Sequence, residues 1–138
     1  MEQFIEFANN HWQLFGALAV TLVLLALSEA RKGGPKLSPN LATQMINRDN
    51  AVVLDIRAKK EFQSGHITGA INIPLNELDK RSGELNKHRD KPIIVVCNLG
   101  HTAAGATKKL HELKFEKVYK LAGGITEWKT QNLPIVKK

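Results

Sequence analysis

One residue in this chain has the chemistry of a strong nucleophile. Cys97 is the only cysteine, and it closes the run Ile93-Ile94-Val95-Val96 ahead of the short loop Asn98-Leu99-Gly100-His101-Thr102. An ordinary thiol has a pKa of about 8.5, and a helix N-terminus or nearby cations lower it. Ala103, Ala106, Leu110 and Leu113 then recur at helical spacing, so the segment reads as buried strand, tight loop and helix. That puts Cys97 at the carboxyl end of a parallel strand, where open α/β sheets take their ligands. The amides from Asn98 to Thr102 and those of the first helical turn have no partners inside the helix. Curled around the sulfur, they form an anion cradle that stabilises a thiolate and equally a persulfide. Gly100 supplies the bend, Thr102 is placed to cap the helix, and Ala103 and Ala104 keep the approach uncrowded. Taken alone, a free cysteine is more often a small buried hydrophobe. The apolar strand before it and the glycine-containing loop after it favour the nucleophile.

Other residues have reactive chemistry but a simpler structural use. Asp55, Arg57 and Glu61 have the types of an acid, a clamp and a base. Buried charges need partners, and the three read as an ion-pair set that fixes the loop after the first strand. His66 reads as a structural histidine. The five histidines lack metal-ligand spacing, and no second cysteine completes a zinc site, so no metal is expected. Neither glycine pair forms a GxGxxG or Walker loop, so no nucleotide cofactor is expected. Gly69, Gly123 and Gly124 serve turns and close packing, with the Gly123-Gly124 loop also a candidate wall of the pocket. Trp128 reads as core, and Lys108 with Lys109 as a solvated face.

The chain of 138 residues holds one ordinary domain and an appendage. A single cysteine excludes an internal disulfide framework. All 20 basic residues lie from Arg31 onward with 10 of the 13 acids, so that part carries +10. An anionic membrane surface, an anionic substrate or an acidic partner suits such a charge. Nucleic acid does not, because one tyrosine and no interleaving of aromatic with basic residues leave nothing to stack on bases.

The appendage is WQLFGALAVTLVLLAL, residues 12–27, without a charge. It is short for a bilayer core but within reach when its flanks help. Trp12 suits an interface, Glu2 and Glu6 precede the run, and Arg31, Lys32 and Lys36 follow it. The positive-inside rule then puts the N-terminus outside and the following domain in the cytoplasm. A secretory signal would carry a basic n-region, and none precedes Arg31, although Ser28-Glu29-Ala30 has the small-x-small form of a cleavage site. The expected organisation is a transmembrane anchor over residues 1–30, a basic Gly/Pro linker over 31–37 with a hinge at Gly33-Gly34-Pro35, and a domain over 38–138.

Within that domain, Ser38-Pro39 starts a helix that Asp49-Asn50 ends. Strands are expected over 51–56, 70–73, 91–96 and 117–121. Helices are expected over 59–63, 75–85 and 102–114, with a last one carrying Trp128. This alternation predicts an α/β fold, a parallel sheet with helices on both faces.

Three spaced motifs resemble those of rhodanese-like domains. The first is Leu54-Asp55-Ile56-Arg57, Glu61-Phe62 and Gly65-His66-Ile67-Thr68-Gly69-Ala70-Ile71-Asn72-Ile73-Pro74. The last is Leu121-Ala122-Gly123-Gly124 with Trp128 and Pro134. Between them stands Cys97-Asn98-Leu99-Gly100, where that family keeps its sulfur-carrying cysteine. The resemblance covers roughly residues 37–136. An anchor ahead of one such domain is similar to the layout of membrane-anchored bacterial members. The resemblance implies a five-stranded parallel sheet flanked by helices, and a sulfurtransferase in which Cys97 takes sulfane sulfur as a persulfide. Asn98, Leu99, Gly100, His101 and Thr102 would bind the substrate. It implies a small sulfur donor, a thiol acceptor, membrane lipid and an inner-membrane protein as partners. It places the chain in the bacterial inner membrane as a single-pass protein, with its N-terminus periplasmic.

One departure bears on the donor. Many members carry Arg in the pattern Cys-x-x-Gly-x-Arg, and here Thr102 holds that position. Without that cation a dianion such as thiosulfate binds less well, and a neutral imidazole at His101 replaces it poorly at pH 7. A non-catalytic binding module is the alternative. A phosphatase of the same fold would need Cys-x5-Arg, and Ala103 stands at that position.

Overall fold

The computed structural model describes residues 1–31 and 34–137. The chain divides into two units, Met1–Arg31 and Lys32–Lys138. Lys32 and Gly33 of the expected linker, and Lys138, lie outside the described residues.

The second unit alternates strands and helices because short apolar runs such as Ile93–Val96, buried along their whole length, alternate with segments whose apolar residues recur at helical spacing. β1 (Lys36–Leu37) leads into α3 (Pro39–Asp49), numbered after two N-terminal helices, α1 (Glu2–Asn10) and α2 (Trp12–Arg31). The expected start of α3 holds: Ser38 Oγ accepts from the Leu41 amide at 3.3 Å and Pro39 takes the first helical position. Asn50, in the left-handed conformation at φ 54°, ends it. β2 (Val52–Asp55), α4 (Lys59–Ser64), β3 (His66–Ile67), β4 (Ile71–Asn72), α5 (Leu78–Arg81) and β5 (Ile93–Val96) follow. α6 (Ala103–Glu112), β6 (Val118–Leu121), α7 (Gly124–Thr130) and β7 (Ile135–Val136) complete the unit.

Five strands form one sheet in the order β1-β6-β5-β2-β4, every neighbour parallel. β1 falls inside the stretch read as linker. It pairs Lys36 with Lys120 and Leu37 with Leu121, so the sheet begins before residue 38. Side chains of β5 alternate across the sheet. Ile93, Val95 and Cys97 join a core with Leu54, Leu78, Ala106 and Leu110. Ile94 and Val96 join a second core with Ala42, Ile125 and Trp128. The sheet is therefore covered on both faces, and Cys97 belongs to the α6 side.

Two features differ from expectation. The stretch 75–85 is not one helix: 3-10 turns at Leu75–Glu77 and Ser82–His88 flank the single turn of α5. Ser82 and Gly83 are poor helix formers, and the segment is held by Leu78 and Leu85, both fully buried. A second sheet also forms, with β3 and β7 antiparallel and His66 opposite Val136.

The first unit is α1 and α2, joined at His11 with a bend of 77°. Phe7 stacks on His11 at 4.5 Å between ring centroids. No single described helix is long and apolar enough to cross a membrane. The bent pair has the length and composition only when taken together. Trp12, Leu14, Leu18, Val20, Leu24 and Leu27 are each more than half exposed, and they spread over every face of the helix.

Candidate active site

The parallel order fixes where a site can form. From β2 the chain moves outward to β4, then returns to the other side of β2 for β5. Strand order reverses there, and loops leaving the two carboxyl ends diverge to open a crevice. A cavity of about 270 Å³ occupies it. Ile56, Arg57, Ala58 and Glu61 line it from the β2 side; Cys97, Asn98, Leu99, His101 and Thr102 line it from the β5 side. The structure thus brings Cys97 together with four of the five expected binding residues, and Gly100 sits just behind them.

Cys97 is free and 3% exposed. Its Sγ accepts a hydrogen bond from the Gly100 amide at 2.9 Å. Gly100 reaches that position at φ 91°, a left-handed conformation costly to other residues. Among the described residues no other amide of the loop makes a hydrogen bond to the sulfur, so the expected ring reduces to one direct donor. Thr102 precedes α6 as expected, but its hydroxyl makes no capping bond. Ala103 is fully buried in the core beside Cys97 and does not line the approach.

The far side of the loop is gripped by α7. The Ile125 amide donates to the Cys97 carbonyl at 2.8 Å. The Thr126 amide and hydroxyl both donate to the Asn98 carbonyl, at 3.1 and 2.8 Å. Helix N-terminal amides with no partner in the helix thereby hold the loop's carbonyls. C=O and N–H point oppositely in a trans peptide, so the Asn98 and Leu99 amides face away from α7. The Gly123-Gly124 turn does not line the cavity; it brings α7 against the loop. A Cβ at Gly124, where φ is 61°, would meet the Cys97 carbonyl oxygen, and the Asn98 carbonyl at 2.7 Å. Gly124→Ala is expected to cost about 2 kcal/mol or more, read in urea denaturation, and to displace the loop. Unchanged stability would show that α7 does not press on it.

Two other expectations divide. Asp55 and Arg57 form a buried pair: Arg57 Nε donates to Oδ1 at 3.0 Å, and its NH2 donates to Oδ2 at 2.8 Å and to the Gly65 carbonyl at 2.7 Å. Glu61 does not join that set. It is exposed and accepts from Asn98 Nδ2 at 2.7 Å, across 37 residues of sequence. Nothing in the local sequence signals this, because α4 and the Cys97 loop meet only in the folded sheet. His66 is structural, its Nδ1 donating to the Phe62 carbonyl at 2.7 Å while the ring stacks on Phe62. Trp128 is core, its indole N–H bound to the Pro134 carbonyl.

Residues 38–131 match the model of the Rhodanese-like domain. The chain is 33% identical over 141 residues to the uncharacterized protein YibN of Escherichia coli strain K12, covering 99% of each. It is 35% identical over 96 residues to the thiosulfate sulfurtransferase GlpE of Shewanella oneidensis, covering 70% of this chain and 93% of that one. Among solved structures, a rhodanese-related protein of Thermoplasma volcanium superposes with a TM-score of 0.69 at 30% identity, over 76% of this chain and all of the other.

Proposed function

The chain belongs to the rhodanese-like domain family, and on that premise we propose that it is a sulfurtransferase carrying sulfane sulfur on Cys97. The observation that carries the reading is a free thiol at the floor of the switch-point cavity, its sulfur already bound by the Gly100 amide. The Cys97 thiolate attacks the outer sulfur of the donor. The donor's S–S bond breaks, and the leaving sulfite or thiolate departs with the electron pair. The Cys97 persulfide is then attacked at its outer sulfur by an acceptor thiol or cyanide, which returns the thiolate. Splitting one transfer into two displacements is covalent catalysis, and the Gly100 amide already aimed at the sulfur holds part of its charge without reorganising.

Intact mass tests it. Protein treated with a sulfane-sulfur donor and kept from reductant gains one sulfur at Cys97, and cyanide removes it. Protein that neither gains the sulfur nor transfers it would favour the second reading, a binding module. Thr102 in place of the family's Arg and the +10 charge motivate that alternative.

We also propose that residues 1–30 anchor the domain to the bacterial inner membrane, with the N-terminus periplasmic and the domain cytoplasmic. Support comes from the apolar side chains that α2 exposes all round and from basic residues confined to its C-terminal side. A periplasm-only reporter fused to the C-terminus is expected to be inactive in the membrane fraction. An active reporter would reverse the orientation, and a soluble full-length chain would remove the anchor.

A further inference from the structure

We propose that Glu61 sets the class of sulfur donor. Clasped across the cavity by Asn98, its carboxylate disfavours dianionic donors and favours persulfides that bring no second negative charge, above all those with a cationic group beside the sulfur. This rests on reading Cys97 as the sulfur carrier.

Two of the cavity's lining residues carry full charge, Arg57 and Glu61. The Arg57 guanidinium is buried, opposed by the Asp55 carboxylate and turned to the Gly65 carbonyl, so its charge is already matched. Thr102, where the family pattern has a cation, is a neutral hydroxyl. Lys59 lines the adjoining groove and not this cavity. The unmatched charge among the lining residues is therefore that of Glu61, and it is negative.

That carboxylate is also held in place. Asn98 donates to Glu61 at 2.7 Å, and the Asn98 carbonyl is fixed by two donors from Thr126. An exposed glutamate would ordinarily sample many rotamers. This one is tied to the residue next to the reacting sulfur. Like charges lining one cavity repel, more strongly beside protein than in bulk water. Thiosulfate brings two negative charges towards a thiolate and this carboxylate. A persulfide with an adjacent ammonium or guanidinium meets an attractive partner instead.

Glu61→Gln is the informative change, because its side-chain oxygen still accepts from Asn98 while the charge is lost. The probes are thiosulfate, a dianion, and methanethiosulfonate, a monoanion that delivers the same outer sulfur and releases methanesulfinate. At pH 8 and low ionic strength, E61Q is expected to raise kcat/KM for thiosulfate about tenfold (about 1.4 kcal/mol) and for the monoanion by about threefold. Glu61→Lys goes further in the same direction. Added salt of about 0.5 M shrinks the difference, which a purely structural role for Glu61 would not do. A donor ratio unchanged in E61Q at low salt, in protein that does transfer sulfur, overturns the proposal alone. Wild-type protein that takes sulfur from neither donor overturns the sulfur-carrier reading and this proposal with it.

Discussion

Replacing Cys97 with serine is expected to lower sulfur transfer at least about 10³-fold while leaving the fold intact. The two side chains differ by one atom, so the core around Leu54, Val95 and Ala106 keeps its volume. The Gly100 amide, 2.9 Å from Sγ, finds a hydroxyl in its place. The chemistry is lost on both steps. A serine hydroxyl is not ionised near neutral pH, and an alkoxide is a poor leaving group for returning the sulfur. The variant should unfold within about 1 kcal/mol of the parent, since small core changes of similar volume cost little. Steady-state transfer from donor to cyanide, measured beside a urea titration, separates the two effects. A C97S protein that keeps a tenth of the activity would move the sulfur carrier elsewhere.

The second large effect is on stability and comes from Asp55. Its carboxylate is 1% exposed and faces the Arg57 guanidinium, 3% exposed, at 2.8 Å. It also accepts from the Arg57 backbone amide at 3.0 Å. Asp55→Ala leaves a buried cation whose remaining hydrogen-bond acceptor among the described residues is the Gly65 carbonyl, and strips the acceptor from the Arg57 amide. Breaking one side of a buried pair costs about 3–5 kcal/mol. That is a large share of the roughly 5–15 kcal/mol that holds a domain together. Asp55→Asn keeps an acceptor for the amide and should fall between. Removing both charges, Asp55→Leu with Arg57→Met, should recover much of the loss, because no unpaired ion remains. Urea midpoints at constant slope read all three. An Asp55→Ala loss under about 1 kcal/mol would mean that the pair is not desolvated in solution.

The two experiments address different parts of one arrangement. Asp55 and Arg57 fix the loop that forms one wall of the cavity, and Asn72 reinforces it by donating to the Asp55 and Arg57 carbonyls. Cys97 stands on the other wall. Losing the wall should weaken transfer in proportion to unfolding. Losing the sulfur should abolish it in folded protein.

Much of this was legible along the chain. The apolar run ending at Cys97, the Ser38-Pro39 helix start and the alternation of strand and helix are local patterns, and local backbone preferences act over a few residues. Three motifs in order were enough to expect the sheet. Segment 75–85 misled because its apolar residues suit a helix while Ser82 and Gly83 interrupt it, and burial of Leu78 and Leu85 decided the outcome. β1 hides within the linker composition because a strand of two residues has no period to detect.

What the amino-acid order determined by itself is the candidate nucleophile, the bend at Gly100, the charge asymmetry and the fold class. Each depends on residue type or on spacing within a single element. What the tertiary structure alone decided is which distant groups meet. Glu61 left the expected ion-pair set for Asn98. Ile125 and Thr126 turned to hold the loop's carbonyls. His66 paired with Val136. The physical reason is that these contacts join elements far apart in sequence, the first two at the carboxyl ends of β2 and β5 and the third between β3 and β7. Their energy depends on distances of a few ångströms that the folded sheet sets and that no local spacing encodes.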